Sequence, residues 1–347
     1  MNIQSLVRPN ISKLKPYSSA RSLYTSGVLM DANENPHNVF GSNIELNRYP
    51  DSSNKAIRAK LAQINGVLQE QVAVGNGSDE LIDLLIRIFC EPGQDNILIT
   101  SPTYGMYEVS ANINNAGIKD IHLIDNNLDV KAIDEAIDSN TKIIFLCSPN
   151  NPTGDVLNTN DILYLIKNTN AIVCVDEAYA DFMTTDSLQA HIDQHPNLVV
   201  LRTLSKAYGM AGVRLGYILA DKELVALIQK VKPPYNVNAL TTDAVLNALA
   251  DQDKVKSVIS ELISERNRIA KELETINTIR KIYSSQSNFL LFKIDNADEV
   301  FKKLVAQGII IRSRTGMAGL ADCLRVSIGT KEQNDLFLEK LKLVVSN

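Results

Sequence analysis

The chain has 347 residues, enough for roughly two domains. With 45% hydrophobic and 22% charged residues, 16 Gly and 11 Pro, it has an ordinary globular composition, which excludes a disordered, collagen-like or disulfide-scaffold chain. The 35 basic and 40 acidic residues leave a net charge of −5, and no apolar run approaches bilayer length, so neither nucleic acid nor a membrane is an expected partner.

In chain order, the first forty residues are irregular, with Pro9, Pro16 and Pro36. Residues 1–30 are serine-rich and carry no acid, which is also how a transit peptide reads. Pro9 and Pro16 interrupt any amphipathic helix, and lysines equal arginines, so a mature cytoplasmic protein is expected. The middle of the chain then alternates apolar strands with helices. Strands are predicted at Asn96–Thr100, Lys119–Leu123, Lys142–Cys147, Ala171–Val175, Leu198–Arg202 and Leu215–Ala220; helices at Ser78–Cys90, Tyr104–Ala111, Val130–Ile137 and Asp161–Lys167. Several of these strands are unbroken Ile/Val-rich runs, as in parallel strands buried on both faces. Residues 46–240 are therefore expected to form a large α/β domain. After Ala239 nearly continuous helix runs over 241–276, with a break at 250–253. Strands follow at Asn288–Ile294, Ile309–Arg312 and Cys323–Ile328, with helices at Ala297–Gln307 and Lys331–Val344. Residues 241–347, with 1–45, are expected to make a smaller α+β domain, its N-terminal segment covering the substrate.

Cys90, Cys147, Cys174 and Cys323 include no Cys-x-x-Cys pair and lie in apolar stretches, as expected of buried free thiols in a reducing compartment. His191 and His195 are four apart in a short stretch ending at Pro196, which reads as a turn rather than a metal site.

Open α/β sheets place their ligand sites at the carboxyl ends of strands. Here one strand ends in Asp176-Glu177-Ala178-Tyr179. Another runs into Thr203-Leu204-Ser205-Lys206, with Arg214 eight residues beyond the lysine, and a third into Pro149-Asn150-Asn151-Pro152. Each piece alone is weak: an acid after a strand often caps a helix, a loop lysine is usually solvated, and Asn-Pro-Thr-Gly is first of all a turn. Together they match the needs of one aromatic aldehyde, pyridoxal phosphate. Its ring nitrogen must stay protonated beside a carboxylate, its aldehyde needs a lysine, and phenol and amide donors tune the ring hydroxyl. Its phosphate wants hydroxyls, an arginine and a helix N-terminus. Gly75-Asn76-Gly77-Ser78-Asp79 before the apolar run at 81–89 supplies the last, with Ser78 or Asp79 as the expected cap. No Gly-Lys-Ser/Thr follows, and there is no Gly-x-Gly-x-x-Gly, so neither a Walker loop nor a dinucleotide site is expected.

With these motifs the chain resembles the fold-type I pyridoxal-phosphate aminotransferases, and among them the histidinol-phosphate aminotransferase family. The likeness extends through Lys15-Pro16-Tyr17, Asp31-Ala32-Asn33-Glu34-Asn35-Pro36, Arg48-Tyr49-Pro50-Asp51, Pro102-Thr103-Tyr104-Gly105-Met106-Tyr107 and Leu324-Arg325-Val326-Ser327-Ile328-Gly329-Thr330. The resemblance implies a large domain with a mostly parallel seven-stranded sheet plus a smaller α+β domain, in a homodimer. It implies a covalent Schiff base between pyridoxal 5′-phosphate and Lys206, with Asp176 at the pyridine nitrogen, Asn151 and Tyr179 at the ring oxygen and Tyr104 on the ring face. Ser78, Asp79, Thr203, Ser205 and Arg214 would hold the phosphate, joined by Tyr49 from the partner subunit. Arg312 and Arg325 would bind the substrates' anionic ends, with Tyr17 and Asn33 closing the pocket. The implied reaction interconverts L-histidinol phosphate and 2-oxoglutarate with imidazole-acetol phosphate and L-glutamate. Aromatic amino-acid aminotransferases and threonine-phosphate decarboxylases share the central motifs and stay open as alternatives. A cofactor-sensing regulator would need an output domain, and residues 1–40 show no helix-turn-helix pattern. With Arg314 beside it, Arg312 also reads as ordinary surface charge, and Tyr107 reads as a core aromatic.

Overall fold

The computed structural model describes residues 2–16, 27–39, 41 and 43–346. Two sheets organise it. The larger is built from β1 (Val72–Asn76), β2 (Asn96–Ile99), β3 (Gly117–Asp120), β4 (Thr141–Cys147), β5 (Ile172–Asp176), β6 (Leu198–Thr203) and β7 (Leu215–Ala220), in the order β1-β7-β6-β5-β4-β2-β3. Only β7 runs against its neighbours, pairing antiparallel with both β1 and β6. The other six therefore point the same way, and their carboxyl ends share one edge with the start of β7.

Side-chain alternation along these strands divides the core into two layers. Ile97, Phe145, Cys174, Leu201 and Ile218 face one side, against Leu81, Leu85 and Phe89 of α3 (Ser78–Phe89) and Tyr107 and Ala111 of α4 (Met106–Ile113). Their sequence neighbours Leu98, Ile144, Val173, Val200 and Leu219 face the other side. There Ile57 and Leu61 of α2 (Lys55–Asn65) and Ile162 and Leu165 of α6 (Thr159–Asn168) cover them. Between these, α5 spans Val130–Ala136. Burial on both faces explains why the strands read as unbroken apolar runs. Near the start of the chain, α1 is Pro9–Lys13, and Ile3 and Val7 pack into the α3 layer.

The chain then passes through α7 (Lys222–Val231), α8 (Ala239–Ala250) and α9 (Gln252–Glu274) into an antiparallel sheet ordered β10-β11-β9-β8. Its strands are β8 (Ile279–Ile282), β9 (Phe289–Ile294), β10 (Arg312–Ser313) and β11 (Cys323–Ser327), with helices α10 (Ala297–Ala306) and α11 (Lys331–Ser346). Leu290, Phe292, Leu324 and Val326 pack against Leu273, Leu304, Phe337 and Leu341 of the helices. The alternate residues Phe289, Leu291 and Arg325 turn to the opposite face.

Two predicted strands move. The strand expected at Ile309–Arg312 forms only at Arg312–Ser313. The Ile309 N–H instead donates to the Leu304 carbonyl, closing α10 after Gly308 at φ +80°, while Ile310 is exposed. β3 starts two residues before its expected place because pairing begins at Asn96↔Gly117; the Ile121 and Leu123 N–H groups still donate to Ile99 and Ser101 past its end. Among the described residues no helix is long and apolar enough to cross a membrane.

Candidate functional site

The pocket lies at the carboxyl edge of the large sheet and encloses about 550 Å³ of open space, mouth included. Ser78 and Asp79 follow β1, Tyr104 follows β2, Cys147 and Asn151 come from β4 and its loop, Asp176, Ala178 and Tyr179 from β5, and Thr203, Ser205 and Lys206 from β6. Ala211 and Arg214 precede β7. Ten of the eleven residues expected at the cofactor thus line one pocket, although they are spread over 137 positions of sequence. The parallel topology is the reason: the ends of β1, β2, β4, β5 and β6 and the antiparallel start of β7 converge there.

The loop after β1 is shaped for close backbone approach. Gly77 has φ +82°, and a Cβ there would sit 2.5 Å from the Arg214 guanidinium; a Cβ on Gly216 would sit 2.3 Å from the Ser78 nitrogen. Arg214 itself has φ +60°, a region that costs a non-glycine residue roughly 1–2 kcal/mol. The turn folds its guanidinium back over the loop, 3.5 Å from Asp79. The helix cap is Gly77 rather than Ser78 or Asp79, which lie inside the first turn of α3. Gly77 brings no side chain to the cap, so the first N–H groups of α3 keep their positive partial charge for an anion. The Tyr104 hydroxyl donates to Asp79 at 3.0 Å, and Thr203 and Ser205 are linked hydroxyl to hydroxyl at 3.0 Å.

Asp176 is 2% exposed. Its Oδ1 accepts the Ala178 N–H at 3.0 Å and its Oδ2 accepts the Tyr107 hydroxyl at 2.7 Å. Burial raises its pKa to about 6, against the lowering effect of these two donors and of Lys206. The Lys206 amine makes no hydrogen bond or ion pair among the described residues and stands 5.7 Å from the Tyr179 ring centre. Burial and then Arg325 lower its pKa, favouring the neutral amine.

Arg325 joins the smaller sheet to this pocket. It is paired across strands with Arg312 and Leu291, lies 5.0 Å from the Phe289 ring centre, and donates from Nη1 to the Asn151 side-chain oxygen. A guanidinium only donates, so the Asn151 carbonyl faces Arg325 and its NH₂ is left for the pocket. Phe289 packs edge-on against Tyr179, 5.2 Å between centres. Arg312 is exposed and shares a groove with Arg325 on the smaller sheet. Asn33 is exposed, with φ +56°, and does not line the pocket. Tyr49 is also outside it, half-exposed and stacked on Tyr235 at 4.6 Å. Tyr17 lies outside the described residues.

One residue read as a core aromatic is bonded into the site. Tyr107, at 0% exposure, is tied to Asp176; the signal was a second tyrosine one helical turn after Tyr104, since a buried tyrosine must find a partner for its O–H. Arg314 is half-buried with an unpaired Nε, and burial with Arg325 and Arg312 nearby lowers its pKa to about 10. Glu177, by contrast, is structural: it holds Arg202, Ser187 and the Leu188 N–H beneath the sheet.

The donor set suits pyridoxal phosphate: a buried carboxylate, an unpaired amine, and a cradle of hydroxyls, a guanidinium and a helix N-terminus that fits a dianion. Residues 17–341 match the family Aminotransferase class I and II. The histidinol-phosphate aminotransferase of Flavobacterium johnsoniae is 45% identical over 99% of both chains. The crystal structure of the Clostridium acetobutylicum histidinol-phosphate aminotransferase superposes with a TM-score of 0.80 at 28% identity, covering 87% of this chain and 92% of that one. The Sinorhizobium meliloti histidinol-phosphate aminotransferase in complex with pyridoxal-5′-phosphate gives 0.79 at 25%, covering 87% and 84%. The chain belongs to the class I and II aminotransferases and, within them, to the histidinol-phosphate aminotransferase family.

Proposed function

We propose that the protein transfers the amino group of L-histidinol phosphate to 2-oxoglutarate, giving imidazole-acetol phosphate and L-glutamate, in histidine biosynthesis. The observation that carries the reading is the unpaired Lys206 amine in a pocket that also holds the Asp176 carboxylate and a dianion cradle. Pyridoxal 5′-phosphate, when bound, supplies an electron sink for the bonds at the substrate's α-carbon. Lys206 would hold its aldehyde carbon, and the Lys206 Nζ would accept and return the substrate's α-proton. Asp176 would keep the proton on the ring nitrogen, and Tyr179 and the Asn151 NH₂ would donate to the ring oxygen. Tyr104 would cover the ring. Ser78, Asp79, Thr203, Ser205 and Arg214 would bind the phosphate, the first two partly through their N–H groups.

Both half-reactions present an anion to the same place. Arg325 is held by Asn151 and its strand neighbours, and Arg312 lies directly across the ladder; their forked donors pair with phosphate or carboxylate. Tyr17 and Asn33 would close the pocket over the substrate.

Tyr49 lies outside this chain's own pocket, and Val28, Met30 and Val39 of the N-terminal segment are 89%, 89% and 69% exposed. An apolar surface of this kind suits a second copy, with Tyr49 serving the partner subunit's phosphate site in a homodimer. Residues 46–240 form the cofactor-holding domain in this reading. Residues 241–347, with 1–45, form the substrate-facing one, apart from Ile3 and Val7 and, in α8, Val245 and Leu249, which pack in the large-sheet layers. Four buried free cysteines suit a cytoplasmic setting.

Adding L-histidinol phosphate without keto acid to the cofactor-loaded protein should bleach its visible band and raise a near-ultraviolet one. Bleaching by phenylalanine alone would make it an aromatic aminotransferase. Release of carbon dioxide from threonine phosphate would make it a decarboxylase.

A further inference from the structure

Asp176 ends β5, and Cys174 two residues earlier faces the α3–α4 layer, so strand alternation turns the carboxylate to the same side. Tyr107, in the first turn of α4, comes down onto that layer. It is stacked flat on Phe145 of the adjacent strand, 4.8 Å between centres and 8° between planes, and meets the Tyr104 ring edge-on at 5.6 Å. This packing allows the ring little freedom, and its hydroxyl is delivered to Asp176 Oδ2 at 2.7 Å with no other side chain bonded to that oxygen.

We propose that Tyr107 is a positioning residue for the reaction: by donating to Oδ2 it fixes the plane of the Asp176 carboxylate and holds it in the ionised form that a protonated ring nitrogen requires. This rests on the assignment of Asp176 to the cofactor's ring nitrogen made above. A carboxylate that accepts a strong donor is a weaker base, so the shared proton stays on the nitrogen side. The need is acute because the surroundings work against the charge. Burial and Asp79 of α3 push the Asp176 proton affinity up, and the other groups facing it are Tyr104, Tyr179, Cys147 and Cys174, which bring no cation. Lys206 is the single neighbouring amine, and its own protonation is disfavoured. Among the described residues, the Ala178 N–H donates the only other hydrogen bond to the carboxylate. Tyr107 is thus the one side-chain donor on this carboxylate among the described residues.

The test is Tyr107→Phe, which keeps the stacked ring and removes one oxygen, in protein loaded with pyridoxal phosphate carrying ¹⁵N in the ring. The ¹⁵N resonance should move toward its unprotonated position, as it should in Asp176→Asn, and kcat should fall on the order of tenfold with KM little changed. Replacing Tyr107 by a fluorotyrosine, a stronger donor, should move the resonance the opposite way, which covers the case of an unstable phenylalanine variant. With a cofactor analogue whose ring nitrogen is replaced by carbon, Tyr107→Phe should cost no further activity. A resonance unmoved in Tyr107→Phe but moved in Asp176→Asn overturns the role of Tyr107 alone. One unmoved in both overturns the assignment of Asp176, and the role of Tyr107 with it.

Discussion

Asp176 illustrates what a single buried charge costs. Its pKa of about 6 lies above the ordinary 3.8 because burial outweighs the Tyr107 and Ala178 donors. The folded chain therefore binds a proton that the unfolded chain has released, and stability is lost as pH rises from about 4 through 6. Asp176→Asn has no such charge to bury. In the cofactor-free protein its stability advantage over wild type should grow between pH 4 and 7 and level off above, by on the order of 3 kcal/mol. Urea unfolding across that range checks this, and a pH-independent difference would refute it. The same substitution should abolish transamination, since a neutral amide cannot hold the ring proton. Local stability and chemistry pull in opposite directions at this residue, as expected where a site must keep an unfavourable charge.

At the level of elements, the anion cradle depends on β7 passing directly beneath the start of α3. Gly216 makes that approach possible, since a Cβ would lie 2.3 Å from the Ser78 nitrogen, and backbone cannot move aside as a flexible side chain can. Gly216→Ala should cost about 1–3 kcal/mol by overpacking and weaken pyridoxal phosphate binding at least tenfold. Thermal melting and cofactor titration measure the two separately. Unchanged affinity would show that α3 does not set the cradle. The apolar face of α3 anchors the element from behind: Leu81, Ile82, Leu85 and Phe89 are fully buried, so the position of the loop is set by the core and not by the loop itself.

For the whole molecule, the question is whether one chain makes one site. If Tyr49 serves the neighbouring subunit, Lys206→Ala and Tyr49→Ala lie in different sites' machinery. Unfolding and refolding the two inactive variants together should then restore activity at about one quarter of the sites, because half the dimers are mixed and each mixed dimer holds one intact site. No recovery from a mixture that forms dimers would place each site within a single chain. Within the chain, Arg325 joins the two sheets, reaching Asn151 from β11.

The sequence by itself determined the α/β class, the alternation of buried strands with helices, and the residues at the strand ends, because all of these are local: apolar runs, turn residues and short motifs carry their meaning within a few positions. It determined less where a strand is short. β1 holds only Val72-Ala73-Val74 before Gly75 and Asn76, and β8 has two charged residues of four, so neither carries a long apolar run. Only the tertiary structure decided how pieces far apart combine. The Tyr107–Asp176 bond spans 69 positions and exists because β5 and α4 share one layer; the Arg325–Asn151 bond spans 174 and exists because β11 turns its uncovered face to the large sheet. Neither contact has a local signature, since what a side chain touches across a core is set by which faces pack, and that is a property of the assembled fold.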